Sequence, residues 1–294
     1  MAPSATRALF GLVLLIGGAN FVAVRYSNAE LDPFWGAALR FVLAGVIFVL
    51  IALTLRLPWP RGKTLRLTML YGFFSFALSY ALMYWALVQV TAGLASVVLA
   101  LVPLVTPLLA AAQRLEPLNR RALVGAVVAL TGILWMTLGD SGLVVPLSGL
   151  LAMLAASITI AQSVILSKKV SANHPIMNNA VGLAVAAPLL LALSWIVGET
   201  WAIPSETSTI WAVTYLATVG SIGLFVGILL VVRQWTASAT AYAFVLFPIV
   251  TLLLEAVLLD VPLTMRAVTG ALLVMAGVWV GALMTTPRRE PAPV

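Results

Sequence analysis

Apolar residues fill this chain in unbroken blocks of about twenty, with no alternation and no single helical stripe. Ten blocks can be marked off, at 7–25, 34–56, 64–88, 92–112, 119–138, 147–168, 176–198, 209–231, 236–257 and 264–285. A helix needs roughly 20 apolar residues to cross a bilayer, whereas a transmembrane strand alternates over about ten. The pattern therefore predicts an all-α membrane protein of ten spanning helices. Polar and helix-breaking residues are confined to short linkers: Asp32-Pro33, Pro58-Trp59-Pro60, Glu116-Pro117, Asp140-Ser141-Gly142, His174-Pro175, Pro204 and Pro262. No segment is left for a water-soluble domain. The first block runs to Arg25 without a small-residue cleavage box, so it is expected to remain as a span.

Composition changes the picture only by closing alternatives. The 294 residues are 63% hydrophobic and 9% charged, against about a quarter charged in a soluble domain. That excludes a soluble enzyme. The absence of cysteine excludes a disulfide scaffold and thiolate chemistry. The net charge of +7 is explained by topology. With the N-terminus inside, 13 basic residues face the cytoplasm: Arg7, Arg56, Arg61, Lys63, Arg66, Arg114, Arg120, Arg121, Lys168, Lys169, Arg233, Arg288 and Arg289. Only Arg25 and Arg266 fall outside, and Arg40 lies within a span. Positive residues favour the cytoplasmic side, so both termini are expected there. The charge implies no nucleic-acid partner.

The chain repeats itself. At a shift of 145 residues, Thr91-Ala92 falls on Thr236-Ala237, Pro103 on Pro248, Pro117 on Pro262, Gly125-Ala126 on Gly270-Ala271 and Gly132 on Gly277. Sixteen of the 42 pairs from 91 to 132 are identical. At a shift of 142, Pro33 falls on Pro175 and Asn20 on Gln162. Five spans per copy is an odd number, so the second copy must enter the membrane upside down. Residues 1–142 and 143–294 are then two inverted five-helix repeats, an architecture of secondary transporters with the substrate site near the repeat interface.

These residues resemble a known family. Gly17-Gly18-Ala19-Asn20-Phe21-Val22-Ala23-Val24 and Leu39-Arg40-Phe41-Val42-Leu43-Ala44 are similar to the first- and second-span motifs of the EamA family of the drug/metabolite transporter superfamily. The runs 91–135 and 236–280 are similar to its repeated Pro-then-Gly pattern. The family usually has Trp where this chain has Gly17, and the acidic loop position Glu116 has Val261 as its repeat partner. The resemblance implies ten helices in two inverted halves and export of small metabolites across the bacterial inner membrane. Within the family, the chain resembles the YddG-type amino-acid exporters.

A zwitterion needs donors for its carboxylate, acceptors for its ammonium and room for a side chain. Polar groups inside a span are costly and so are functional candidates. Arg40 is a carboxylate contact or a paired helix pin. Asn20 and Gln162 are amides able to donate and accept. Phe76, Tyr80 and Tyr84 share one stripe at i, i+4, i+8; Tyr80 is deeper than Tyr84, which is expected near the outer aromatic belt. Ser157, Tyr242, Asn178 and Asn179 are weaker candidates. Glu255 is a gate or coupling residue, with the outer headgroups its expected surroundings. Pro103 and Pro248 are expected as paired hinges. Gly223-x-x-x-Gly227 and Gly277-x-x-x-Gly281 are expected to serve close packing within the chain, with a dimer as the weaker alternative.

No enzyme is expected. Gly139-Asp140-Ser141-Gly142 resembles a protease nucleophile site, but the sole histidine, His174, is expected on the other side of the membrane. There is no phosphate-binding Gly-rich loop and no His or carboxylate cluster, so no cofactor or metal is expected. The leading expectation is an amino-acid exporter working by alternating access through a central cavity. Efflux of hydrophobic cations is the alternative within transport, and a membrane-bound lipid or glycan transferase the alternative outside it.

Overall fold

In the computed structural model, residues 3–115, 117–118, 120–137, 145–232 and 237–283 are described. All of their regular structure is helical. The helices are α1 Pro3–Ser27, α2 Pro33–Thr54, α3 Gly62–Gly72, α4 Ser79–Gln89, α5 Ala92–Leu99, α6 Val102–Ala112 and α7 Arg120–Thr137. They continue as α8 Leu147–Lys169, α9 Pro175–Val197, α10 Thr207–Ala217, α11 Leu224–Val232, α12 Ala237–Leu258 and α13 Met265–Val278. Three wide π-turns interrupt or extend them: Phe73–Leu78 joins α3 to α4, Thr218–Gly223 joins α10 to α11, and Trp279–Leu283 follows α13.

Eight helices among the described residues are long and apolar enough to cross a membrane. A ninth span is α5 with α6, bent by 40° at Ala100-Leu101. The remaining block, at 236–257, forms α12, whose qualifying stretch, Ala243–Leu258, is shorter than a full span. The block at 92–112 is thus broken where the sequence reading expected one helix. Pro103, in the first turn of α6, lacks an N–H to give back across the break.

Element positions repeat along the chain. α10 begins and ends 145 residues after α3, and the π-turn at 218–223 lies 145 residues after that at 73–78. Packing follows the same exchange. α2 lies on α9 and α7 on α13; α1 packs on α12 as α8 packs on α5 and α6; α4 meets α8 as α1 meets α10 and α11. Glycines allow the closest approaches. A side chain on Gly125 would strike the backbone of Gly277 and Gly281, and one on Gly132 the carbonyl of Gly270, so α7 and α13 meet backbone to backbone. Gly223 and Gly227 face Ile16 and Val13 of α1. Both GxxxG pairs are therefore occupied within the chain.

The two ends of the bundle differ. One gathers Arg7, Arg56, Arg61, Lys63, Arg66, Arg120 and Arg121 and is called the basic end. The other holds Glu30, Asp32, Glu199, Glu206 and Asp260 and is called the acidic end. There the loops are tied together: Asp32 accepts from Thr200, Glu199 from the Phe34 and Trp35 amides, and Glu30 from Ser205 and Glu206. Trp35 and Trp201 stack at 5.2 Å. At the basic end, Asn173 joins Thr68 to Asn178, and His174 accepts from the Ile176 amide. His174 is thus a helix cap at the start of α9.

Candidate functional site

The site is built where α1 and α2 cross the π-turn at 218–223. A π-turn displaces carbonyls from the regular helical ladder. Here the Gly220 carbonyl accepts from two other helices, from Asn20 Nδ2 at 2.9 Å and from Arg40 Nη2 at 3.0 Å. Arg40 Nε donates to Ser221 Oγ, also at 3.0 Å. The guanidinium lies 5.0 Å from the centre of the Tyr80 ring and 5.4 Å from that of Phe41. Arg40 is fully buried and Asn20 nearly so.

Centring an Arg in a membrane helix costs about 2.5–3.5 kcal/mol on insertion scales, and more in some treatments. Each hydrogen bond from a charged group returns about 1.5–3 kcal/mol, and each face-on ring about 0.5–2 kcal/mol. The protein can therefore hold Arg40 in place but does not neutralise it. The hydroxyls of tyrosines 84, 80 and 215 are near its charge, and among the described residues it forms no ion pair with a carboxylate. Arg40 Nη1, Asn20 Oδ1 and the Tyr84 hydroxyl are buried without a hydrogen-bond partner. The guanidinium and the amide thus meet at Gly220, both donating to its carbonyl.

This polar pole borders a cavity of about 130 Å³. Its other walls are largely apolar: Phe21, Phe76, Met83 and Leu99 on one side, and Ile160, Phe225, Ile228, Phe244 and Phe247 on the other. Gly17, Ser75, Tyr80 and Leu224 complete the lining. Asn20 and Arg40 each sit seven residues from the acidic end of their helices, roughly 10 Å at 1.5 Å per residue. Phe225 and Ile228 lie further toward the basic end. The cavity is polar at one pole and apolar at the other.

The sequence-predicted residues separate into two groups. Asn20, Arg40, Phe76 and Tyr80 come together at the cavity. Tyr84 continues their stripe, its ring 6.5 Å from that of Tyr80. It is fully buried, which corrects its expected place in the outer aromatic belt; Trp85, partly exposed, faces outward instead. Gln162 is away from the cavity lining, accepting from Gln113 near the basic end. Ser157 is buried and donates to Val98 and Met153 carbonyls, tying α8 to α5. Asn178 donates to the Val170 carbonyl and steadies the turn before α9, while Asn179 is half-buried on the same helix. The side chain of Tyr242 and residues 138–144, with the Gly139–Gly142 match, lie outside the described residues.

Glu255 is also placed differently from expectation. It is buried, not turned to the headgroups, and does not pair with Arg40. Its two oxygens accept from the Ala92 and Gly93 amides at 2.6 and 2.7 Å. Thr91 Oγ1 accepts from Leu94. Three orphan amides at the start of α5 are thus satisfied, two of them by a carboxylate reaching across from α12. Of the proline pair, Pro103 stands at the break before α6, whereas Pro248 lies inside the continuous α12.

Sequence reasoning missed Gly220, Ser221, Phe225 and Phe247. The first two act through a carbonyl and a short hydroxyl, which no residue pattern announces. Phe225 had a signal: a shift of 145 places it on Tyr80.

Comparison with known proteins now decides the family. The model of the EamA-like transporter family matches residues 7–138 and again residues 147–282. The chain belongs to that family. A "Probable amino-acid metabolite efflux pump" of Salmonella typhimurium is 29% identical, over 95% of both chains. The inner membrane transporter YedA of Escherichia coli K12 is 30% identical, over 84% of this chain and 80% of its own. A crystal structure of a protein 20% identical covers 96% of this chain and 97% of its own at a TM-score of 0.66, a likeness of fold. With its apolar helices and these relatives, this EamA-like protein is a multi-pass inner-membrane protein.

Proposed function

We propose that this EamA-like protein exports small zwitterionic metabolites, amino acids being the class its cavity fits best, by alternating access. The observation that carries the reading is Arg40: a buried guanidinium at the cavity wall, held by the Gly220 carbonyl, the Ser221 hydroxyl and nearby tyrosines, with no ion pair to a carboxylate among the described residues. A substrate carboxylate supplies the missing charge, and the Asn20 Oδ1 acceptor suits the neighbouring ammonium. A hydrophobic cation would meet Arg40 with like charge. This weighs against the drug-efflux alternative. Matching names among relatives, including the amino-acid metabolite efflux pump, support the solute class.

The architecture that goes with this function is ten spans in two inverted five-helix repeats, 1–142 and 143–294. The 145-residue spacing of the π-turns, the exchanged packing and the two separate family matches support it. In this reading the basic end lies in the cytoplasm with both termini, which the preference of Lys and Arg for the cytoplasmic side supports. Pro103 and Pro248 serve as hinges. The remaining candidates, Gln162, Ser157, Tyr242 and Glu255, act on the path or its gates rather than on the bound solute.

The test is counterflow of labelled amino acids in proteoliposomes. Arg40→Gln removes the charge and shortens the side chain while keeping one amide donor, and is expected to lower flux at least about tenfold. Saturable wild-type flux of cationic dyes but of no amino acid would sink the reading.

A further inference from the structure

The ring of Phe247 on α12 is seated on Gly17 of α1. A Cβ added to Gly17 would fall on the ring's Cε1 and Cζ atoms, inside their van der Waals surface. The helices themselves cannot easily part at this level. Gly18, the next residue, receives the Val250 side chain. Thr251 Oγ1 donates to the Gly18 carbonyl at 3.0 Å. Phe244 lies edge-on to the Phe247 ring, with centroids 5.5 Å apart. A side chain at 17 is therefore relieved by rotation of the Phe247 ring, and both residues line the cavity.

Their level in the bundle gives this contact a meaning. Gly17 is one turn below Asn20 toward the basic end, on the same face of α1. A zwitterion held at Arg40 and Asn20 extends its side chain past Gly17 and Phe247 toward Phe225 and Ile228. We infer that Gly17 and Phe247 together set the largest side chain the cavity accepts, and that the site takes amino acids with bulky apolar side chains. The inference rests on the amino-acid reading of the cavity. Gly17 acts by leaving the ring parked against α1, and Phe247 by forming the wall that results.

The experiment compares counterflow of labelled phenylalanine and leucine with that of alanine in proteoliposomes. Losing or gaining a methylene-sized volume in an apolar pocket changes discrimination by about tenfold or more. Gly17→Ala is expected to depress phenylalanine and leucine flux about tenfold relative to alanine. Phe247→Ala is expected to move the ratio the other way, and Phe247→Leu in the Gly17→Ala background to restore it. If Gly17→Ala does not fold, judged by monodisperse elution, Phe247→Ala alone carries the test. Wild type active on amino acids with a size ratio unmoved in the folded variants overturns the inference and leaves the proposed function standing. Wild type inactive on every amino acid overturns the proposed function and this inference with it.

Discussion

Glu255 lies more than 160 residues along the chain from the two amides it holds. Its glutamine variant keeps one oxygen, so one amide of α5 loses its partner in a buried setting. Hydrogen bonds to a charged group are worth about 1.5–3 kcal/mol, and Glu255→Gln is expected to lower the thermal midpoint in detergent accordingly. Glu30 is the exposed counterpart. The Ser205 hydroxyl and amide, followed by weaker bonds, pull its carboxyl down to about 2 from an ordinary 4.5. A depressed carboxylate favours the fold above its unfolded value, so this tie is complete above about 4.5 and is lost as pH falls toward 2. Its carboxyl resonance is expected to titrate near 2 by NMR, and Glu30→Gln to speed hydrogen exchange at Ser205 and Glu206. Neither contact was legible in the sequence, because each joins a side chain to a distant backbone amide. Arg40 and Asn20 were legible, since a polar residue in an apolar block stands out by its cost. Their shared acceptor, Gly220, was not.

At the scale of elements, the apolar blocks located the helices to within a few residues, because lipid imposes length on any span. The breaks inside them were hidden. A π-turn alters hydrogen-bond register without altering hydrophobicity, so Phe73–Leu78 and Thr218–Gly223 leave no trace in the pattern. The first nonetheless brings Ser75 and Phe76 to the cavity, and the second brings Gly220 to Arg40 and Asn20. Deleting Val219 would remove the extra residue of the second turn and rotate Gly220 away from Arg40 and Asn20. The expected result is a protein that still inserts, by membrane fractionation, but shows no counterflow. Between α7 and α13 the constraint is space. Gly125→Val would press its side chain onto the Gly277 backbone, and overpacking of this kind costs about 1–3 kcal/mol. Reduced yield and a lower thermal midpoint are expected.

At the scale of the whole molecule, the proposed orientation rests on charge: of 16 basic residues, 13 fall on one side, two on the other and Arg40 within a span. The native chain has no cysteine, so introduced thiols report without background. Lys63→Cys is expected to react with an impermeant maleimide only from the cytoplasm, and Glu206→Cys only from outside; the opposite result would reverse the proposed orientation. The polar pole has a further consequence. Its guanidinium and amide have no counterparts: the residues matching Asn20 and Arg40 at a shift of 142 are Gln162, which lies away from the cavity lining, and Gly182. The site therefore sits closer to one membrane face than the other. For a carrier moving solute alone, such lopsidedness cannot pump, because equal concentrations on the two sides must give no net flux. It can make the half-saturation concentrations on the two faces differ. Detailed balance then obliges the maximal rates to differ in the same proportion, so a substitution at Arg40 that shifts one face's half-saturation must shift its partner quantities until the two efficiencies match again.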